Sequence, residues 1–270
     1  MSIMESKVVF IGAGNMAEAI VSGMVAGGFC APEKIIMTDI RPERLADLER
    51  EYGVSTSTDN SVVKNAEIVV LAVKPQVMAE VLKGIMTVLR KETLIISIAA
   101  GIPTAKIEAA LGGNRRVVRV MPNTPALVGQ GASAIAAGAN ADEADLAVTE
   151  TILGCVGLTV RVKENELDAV TALSGSGPAY VFYLLEGMLA AADKMGLDKE
   201  TARRLALKTV EGAARLMEDT GEAADVLRAK VTSKGGTTEA AIRSMDEAGV
   251  KDAVTQALLA AQRRSIELSK

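Results

Sequence analysis

Two short segments of the sequence combine glycine with the start of a predicted helix, and such a combination can bind anions. The first is Gly12-Ala13-Gly14, which follows a run of β-forming residues. The second spans residues 233–238, reads Ser-Lys-Gly-Gly-Thr-Thr and also carries hydroxyl side chains. A helix N-terminus offers unpaired backbone N–H groups and the positive end of the helix dipole. We therefore expect a cofactor at the first segment and the carboxylate of a small substrate at the second, a pair of sites that suggests an oxidoreductase.

The first segment fits a dinucleotide-binding fingerprint. Residues 8–11 form a short apolar run, and residues 12–17 then read Gly-Ala-Gly-Asn-Met-Ala. In the pattern Gly-x-Gly-x-x-Ala the first glycine makes a tight turn, the second lets a diphosphate approach the backbone, and the alanine lets the helix lie close to the sheet. The contacts predicted for NADP(H) or NAD(H) are Gly12, Ala13, Gly14, Asn15 and Met16.

The charged residues after the second predicted strand leave the choice of dinucleotide open. Asp39 stands about where an acidic side chain binds the ribose 2′-hydroxyl of NAD. Arg41 offers a cation for the 2′-phosphate of NADP, whereas Arg44 is predicted to be a solvated charge on a helix surface. Lys74 follows a buried strand at the sheet edge where ligands bind in such folds, so it is a further predicted cofactor contact.

The composition argues against several kinds of chemistry. The 270 residues include no histidine, and aromatic residues make up only 2%. Histidine-based catalysis and histidine metal sites are therefore ruled out, and base stacking on aromatic side chains is disfavoured. The net charge of −4 disfavours nucleic-acid and anionic membrane partners. We expect no metal, buried and reduced thiols at Cys30 and Cys155, and a cytoplasmic protein without a signal peptide or membrane span.

Strand-like and helix-like segments alternate along the first part of the chain. This order predicts an α/β fold, with a doubly wound parallel sheet and helices on both of its faces. Residues 132–136 and 158–162 are expected to extend the sheet. After about residue 163 only helical patterns follow. We therefore place a domain boundary there, between an α/β domain at residues 1–163 and an all-α domain at residues 164–270.

The all-α part opens with a long apolar segment at residues 164–195. Pro178 is expected to bend or break this helix, because proline removes a helical hydrogen bond. Tyr180 and Phe182 are expected in the core. Helices rich in small apolar residues often associate with a second copy of the chain.

Six motifs, taken in order and spacing, closely resemble those of the Δ1-pyrroline-5-carboxylate reductase family. They lie at residues 11–17, 72–76, 97–101, 119–125, 174–180 and 233–238. The resemblance covers about residues 7–268, and the run Val-Thr-Ser-x-Gly-Gly-Thr-Thr that ends at residue 238 is its most specific element. It implies a Rossmann domain followed by an all-α dimerisation domain that forms a homodimer, with larger rings of dimers in the family. It also implies reduction of 1-pyrroline-5-carboxylate to L-proline by NAD(P)H, the last step of proline biosynthesis.

The resemblance also implies roles for individual residues. Asn60 is placed at the ribose on the nicotinamide side, and Met121 and Asn123 near the nicotinamide, with Asn123 also a substrate contact. The residues implied to line the cofactor after the fourth strand are Ala72, Val73, Lys74 and Pro75. The residues implied to hold the substrate are Ser233, Gly235, Gly236, Thr237 and Thr238, with Thr238 closest to the ring nitrogen. Ser233 and Thr237 have a plainer alternative as helix caps.

Reduction of a cyclic imine does not require a histidine, so it is compatible with this chain. A cyclic imine can bind already protonated, so no strong acid is required, and Thr238 is assigned to orientation with a proton relay from water. The chain departs from the family at Lys234, where proline is common, and at Glu222-Ala223-Ala224, which replace a His-Pro step. The 233–238 segment and the Gly12 turn lie in different predicted domains, so activity is expected to depend on dimerisation.

Two other functions stay open from the sequence. A related hydroxy-acid dehydrogenase would place a catalytic lysine on the long interdomain helix, but residues 168–186 contain none. A non-catalytic NAD(P)-binding regulatory protein would bind the dinucleotide without reducing an imine.

Overall fold

The computed structural model describes residues 5–269. The chain forms two compact units. Unit 1 contains the described chain up to Ser176 and again from Ala261 onward, and unit 2 is Gly177–Ala260. The units are defined by internal packing alone, and the predicted domain boundary near residue 163 stays a prediction.

Unit 1 is built on one eight-stranded sheet with the order β3-β2-β1-β4-β5-β6-β7-β8. The strands are β1 Val8–Ile11, β2 Ile35–Thr38, β3 Ser55–Ser57, β4 Ile68–Leu71, β5 Leu94–Ser97, β6 Arg116–Met121, β7 Gly131–Ala137 and β8 Gly157–Arg161. Its complete helices are α1 Asn15–Ala26, α2 Pro42–Tyr52, α3 Met78–Ile85, α4 Thr104–Ala110, α5 Glu143–Gly154 and α6 Leu167–Val170. This is the predicted doubly wound architecture.

The sheet is parallel from β3 to β6, but β7 runs antiparallel to β6, and β8 runs parallel to β7. The predicted parallel sheet is therefore confirmed except for this one antiparallel pair, β6 with β7. Parallel neighbours need a crossover of roughly a dozen residues or more, usually a helix. The chain between Met121 and Gly131 holds only a short 3₁₀ turn, Thr124–Val128, so β7 has to enter in the opposite direction.

The core of unit 1 lies on both faces of the sheet. Alternation along β1 sends Phe10 to one face, against Ile20 and Met37, and Ile11 to the other, against Leu71. Phe10 is the one aromatic side chain among the largest fully buried ones, so the core is aliphatic, as the composition predicts.

The two cysteines are free thiols, Cys30 buried and Cys155 partly buried. Desolvation raises the pKa of Cys155 to about 12. Burial also raises the pKa of Cys30. Both thiols therefore stay protonated and unreactive near neutral pH.

The long apolar helix expected at residues 164–195 is interrupted before Pro178. After α6 the chain makes one wide π turn, Thr171–Gly175, in which Ser176 donates its N–H to the carbonyl of Thr171 at 2.8 Å. A new helix, α7, then starts at Gly177 and runs to Lys194. Pro178 sits in its first turn, where the missing N–H costs no hydrogen bond.

Unit 2 consists of helices. They are α7, α8 Lys199–Thr220, α9 Ala224–Lys230, α10 Thr237–Glu247 and the first part of α11 Val250–Ser269. Phe182 is 60% exposed and Tyr183 78%, so the expectation that Phe182 lies in the core of the chain is wrong. An apolar face of this kind is typical of an interaction surface. Within residues 5–269, no helix combines the length and hydropathy of a membrane span.

Candidate functional site

The turn between β1 and α1 requires glycine at position 12. Gly12 has a φ of +98°, and a Cβ atom there would lie 2.6 Å from the carbonyl oxygen of Ala72. Its N–H donates to the carbonyl of Thr38 at 2.8 Å. Gly12 is thus wedged between the ends of β2 and β4. This is the crevice where the strand order reverses and where ligands bind in doubly wound sheets.

Gly14 is the N-cap of α1 and faces open space. Its φ of −76° and ψ of 175° suit any residue, and a Cβ atom at this position would meet nothing within 4 Å. No side chain caps the helix, so the first N–H groups of α1 receive no hydrogen bond from an N-cap side chain. Ala17 is buried against the sheet side of the helix, at 1% exposure. The turn therefore fits a dinucleotide diphosphate, with a tight turn, an open approach and free donors.

Two charged side chains hold the backbone of Ala13 from opposite sides. The N–H of Ala13 donates to Asp39 Oδ2 at 3.0 Å, and its carbonyl accepts from Arg44 Nε at 3.0 Å. The Arg44 guanidinium also pairs with the Glu18 carboxylate on α1. Its side chain is only 23% exposed, so the prediction of a solvated surface charge at Arg44 is wrong. Through these two contacts Arg44 stabilises the glycine-rich turn.

Asp39 and Arg41 form a close ion pair just beyond the end of β2. Arg41 donates from Nε to Asp39 Oδ1 at 2.9 Å and from its backbone N–H to the same oxygen at 3.1 Å. Burial pushes the pKa of Asp39 upward, but the hydrogen bonds from Arg41 and Ala13 together outweigh it and hold the pKa below its usual value. Asp39 is therefore a fixed, ionised acceptor at the expected ribose position.

Several other predicted cofactor residues lie at the same edge of the sheet. Asn60 follows β3 and accepts a hydrogen bond on Oδ1 from Thr38 Oγ1 at 2.6 Å. Ala72 donates its N–H to the carbonyl of Ile11 at 2.8 Å and so continues the β1–β4 ladder toward Gly12. Lys74 is exposed and begins the short 3₁₀ turn that follows, with Val73 and Pro75 on either side.

The side chain of Asn123 links separate segments of unit 1 through hydrogen bonds. Its Oδ1 accepts from the N–H of Ala132 at 2.8 Å, and its Nδ2 donates to the carbonyl of Ser174 at 3.1 Å. Met121, at the end of β6, packs close to Gly175. A Cβ atom at position 175 would lie 2.5 Å from Met121 Cε, so only glycine leaves room there for the methionine side chain. The contacts give Asn123 a structural role, and its contact with substrate stays a prediction.

In unit 2 the 233–238 segment forms a tight loop that leads into α10. Helix α10 begins at Thr237, with Gly236 as its N-cap. Gly235 has a φ of +74°, and Gly236 donates its N–H to the carbonyl of Ser233 at 3.0 Å. A Cβ on Gly236 would lie 2.5 Å from Ser233 Oγ. The N-cap therefore contributes no side-chain acceptor, and the N–H groups of Thr237 and Thr238 have no partner within the helix.

Glu239 reaches back over this loop, a contact that the sequence reasoning missed. Its Oε2 accepts the N–H of Gly235 at 2.7 Å. Gly235 therefore does not offer its N–H to a ligand in this conformation, although we predicted a substrate contact there. An acidic residue in the first turn of a helix often accepts a hydrogen bond from a backbone N–H just before the helix. Glu239 is such a residue, so its contact with Gly235 could have been predicted from the sequence. Within residues 5–269, no group of three or more Cys, Asp or Glu side chains is arranged to hold a metal ion.

Comparison with known proteins covers the whole chain. Residues 7–101 match the family described as NADP oxidoreductase, coenzyme F420-dependent, and residues 164–268 match pyrroline-5-carboxylate reductase dimerisation. The pyrroline-5-carboxylate reductase of Methanosarcina acetivorans is 44% identical over 98% of both chains.

Two solved structures are also similar along their full length. A pyrroline-5-carboxylate reductase from Coxiella burnetii has a TM-score of 0.92 at 41% identity, over 98% of this chain and 99% of that one. A pyrroline carboxylate reductase from Plasmodium falciparum, solved with NADP bound, has a TM-score of 0.90 at 28% identity, over 99% of this chain and 100% of that one. With relatives of this identity along nearly all of its length, the chain belongs to the pyrroline-5-carboxylate reductase family.

Proposed function

We propose that the protein reduces 1-pyrroline-5-carboxylate to L-proline, with NADH or NADPH as the reductant. The observation that carries this proposal is the match to reductases of that name along the whole chain, both the sheet unit and the helices with their glycine-rich loop. This reaction is the last step of proline biosynthesis.

The residues of unit 1 would hold the dinucleotide. The turn at Gly12-Ala13-Gly14 and the first N–H groups of α1, from Asn15 and Met16, receive the diphosphate. Asp39 and Arg41 meet the adenosine ribose. The residues at the nicotinamide end are Asn60, Ala72, Val73, Lys74, Pro75 and Met121. When bound, the reduced nicotinamide supplies a hydride to the imine carbon, and the electron pair of the C=N bond passes to nitrogen.

The 233–238 loop would hold the carboxylate of the substrate. The free N–H groups of Thr237 and Thr238 lie at the positive end of the α10 dipole, and both features favour an anion. The Ser233 hydroxyl lies close to Gly236, the N-cap of the same helix. A hydrogen bond to a charged group contributes about 1.5–3 kcal/mol, so two such donors are enough to orient a small ring. The role assigned to Asn123 at the substrate stays part of this proposal.

Thr238 would orient the imine nitrogen. The chain has no histidine to act as an acid near neutral pH. A protonated imine needs no further proton before the hydride arrives, so a hydroxyl that only donates or accepts one hydrogen bond is sufficient. The chain's own contribution to the rate is then mainly the positioning of carbon and nitrogen, which can supply a large part of a catalytic effect.

The apolar face of unit 2 would pair with a second copy of the chain. Phe182 and Tyr183 on α7 and Leu205 on α8 are each more than half exposed in the single chain. The match of residues 164–268 to a dimerisation family supports a homodimer through these helices. Larger rings of dimers and a cytoplasmic location remain expectations from the resemblance and the sequence.

A substitution at Thr238 tests this function and the role of its hydroxyl together. The wild-type protein should oxidise NADH or NADPH when pyrroline-5-carboxylate is added. Thr238→Ala should lower kcat/KM for the imine by about tenfold or more, because a hydrogen bond to a charged group is lost. Thr238→Ser keeps the hydroxyl and should retain most of the activity.

The dinucleotide Kd serves as the control and should be the same in all three proteins. If Thr238→Ala keeps the wild-type kcat/KM, the role assigned to Thr238 is wrong. If the wild-type protein binds the dinucleotide but oxidises none with the imine, the chain is a non-catalytic binding protein.

A further inference from the structure

We propose that Glu239 is a positioning residue for the imine, because it locks the shape of the turn that leads into α10. The inference rests on the proposed function, since this turn belongs to the loop that would hold the substrate carboxylate. It starts from the hydrogen bond that Gly235 donates from its N–H to Glu239 Oε2 at 2.7 Å. Within residues 5–269 this bond is the only polar contact of the Glu239 side chain, so removing that side chain breaks no other bond.

Residues 233–236 form a β-turn whose backbone matches type II. Gly236 donates its N–H to the carbonyl of Ser233 at 3.0 Å, which is the bond between the fourth and first residues of a turn. Gly235, the third residue, has a φ of +74°, whereas the φ of Lys234, the second residue, is negative. A negative φ followed by a positive one is the pattern of type II, and it explains the glycine at position 235.

The bond between Gly235 and Glu239 favours this turn over its closest alternative. Type I and type II turns share their first and last residues and differ mainly in the direction of the peptide between the second and third residues. The N–H group of that central peptide is the one that Glu239 binds. If the peptide turned to the type I direction, this N–H would point away from the carboxylate, and a charge-assisted hydrogen bond would be lost.

The residue at the second position of the turn does not restrain it. Proline is favoured at this position because its ring fixes φ near the value that the turn requires. Lys234 has no such ring, so its backbone is freer. Within residues 5–269 the Lys234 N–H donates no hydrogen bond, and proline could therefore replace this lysine without breaking one. In this chain the restraint on the turn comes from Glu239 instead.

The shape of the turn decides where the donors for the carboxylate lie. Gly236 is both the last residue of the turn and the N-cap of α10, so the turn sets the path by which the chain enters the helix. It also brings the hydroxyl of Ser233 close to Gly236. The free N–H groups of Thr237 and Thr238 follow directly. A turn that is only partly in the correct form binds the substrate more weakly, in proportion to the fraction that is correct.

The experiment measures KM and kcat for the imine at a saturating concentration of reduced dinucleotide. Calorimetry with the oxidised dinucleotide bound gives the Kd of L-proline, which carries the same carboxylate. Glu239→Ala should raise both KM and the proline Kd by about threefold or more, because the turn loses a hydrogen bond to a charged group. The value of kcat should stay within about twofold of wild type, since bound substrate itself holds the turn in the correct form. Partial unfolding would instead lower kcat and leave KM unchanged.

Two further variants separate the hydrogen bond from the charge. Glu239→Gln keeps an uncharged acceptor in the same place, so its KM should stay within about twofold of wild type. Lys234→Pro, added to Glu239→Ala, restrains the turn by another route and should bring KM at least about halfway back to the wild-type value. Glu247→Ala is the matched control. It removes the same group from the last residue of α10, where the side chain is exposed, and should leave KM unchanged.

A folded Glu239→Ala protein whose KM and proline Kd rise by less than about threefold overturns the proposal. So does a Glu239→Gln protein as impaired as Glu239→Ala, because the charge would then be the cause. A double variant without recovery shows that the shape of the turn is not what Glu239 controls. Circular dichroism and thermal unfolding show that each variant is folded.

The same measurements keep this inference apart from the proposed function. If the wild-type protein oxidises no dinucleotide with the imine, the proposed function fails, and the proline titrations alone decide the role of Glu239. If the wild-type protein reduces the imine and Glu239→Ala is unaffected, the proposed function stands and this inference fails.

Discussion

A pair of glycine-to-alanine substitutions separates what the turn after β1 does for folding from what it does for binding. At Gly12 the added Cβ would lie 2.6 Å from the oxygen and 2.8 Å from the carbon of the Ala72 carbonyl. These are backbone atoms of a buried ladder, so they cannot move aside as a flexible side chain can. The φ of +98° is also outside the range that alanine adopts easily.

The cost of Gly12→Ala has two parts. A residue forced into a rarely populated backbone region costs about 1–3 kcal/mol. An extra carbon in a packed site costs about another 1–3 kcal/mol. We therefore expect the free energy of unfolding to fall by about 2–6 kcal/mol, together with a large loss of dinucleotide affinity.

Gly14→Ala should behave differently, because its backbone is extended and a Cβ there meets nothing within 4 Å. The free energy of unfolding should change by less than about 1 kcal/mol, as for alanine in place of glycine at an N-cap. NADH binding should nevertheless weaken by about tenfold or more, because the methyl group occupies the space through which the diphosphate approaches.

Urea unfolding gives the stability of each variant, and titration with NADH gives its affinity. If Gly14→Ala binds NADH as the wild type does, the diphosphate does not lie over the start of α1. If Gly12→Ala is as stable as the wild type, a side chain at position 12 does not clash with the backbone of Ala72, and this part of the reasoning is wrong.

Three further predictions follow from contacts of the chain. Arg44→Met should lower the free energy of unfolding by about 1–3 kcal/mol and weaken NADH binding, since Ala13 and Glu18 lose their donor; unchanged urea unfolding and titration curves would contradict this. Phe182→Glu should convert a dimer into monomers in light scattering, with loss of imine reduction, and a variant that stays dimeric refutes the interface. Asp39 has a pKa lowered by its hydrogen bonds, so its ionised form stabilises the fold above about pH 4. That contribution should fade as the pH falls through the lowered pKa, and the gap in unfolding free energy between wild type and Asp39→Asn should narrow with it.

The sequence predicts best those features that depend on neighbouring residues. The turn at Gly12, the helix start at the Gly12-Ala13-Gly14 segment and the break near Pro178 follow from backbone rules that operate within a few positions. The alternation of strands and helices also predicts the order of elements in unit 1, because each strand carries its own pattern. Only the direction of β7, and of β8 which runs parallel to it, differs, and it depends on the short connection before β7.

Contacts between distant segments could not be predicted in this way. Arg44 looks like a surface charge on an amphipathic helix, and only the packing of α2 beside α1 brings it to Ala13 and Glu18. The contacts of Asn123 could not be predicted either, because its partners Ala132 and Ser174 come from separate segments.

Two other differences have separate causes. Phe182 was expected in the core because it is apolar, but hydrophobicity does not say whether the same chain or another copy covers the side chain. Glu239 is an exception among the missed contacts, because an acid in the first turn after a glycine loop is a local signal.

The central claim is that this chain transfers a hydride from a reduced nicotinamide to a cyclic imine, and isotope transfer tests it most directly. The purified protein is mixed with pyrroline-5-carboxylate and with NADH or NADPH that carries deuterium at the transferable position, and the product is examined by mass spectrometry and chiral chromatography. The account predicts L-proline with one deuterium, on the carbon that carried the imine double bond, for each dinucleotide oxidised. If the dinucleotide stays reduced, or if proline forms without deuterium at that carbon, the central claim is wrong.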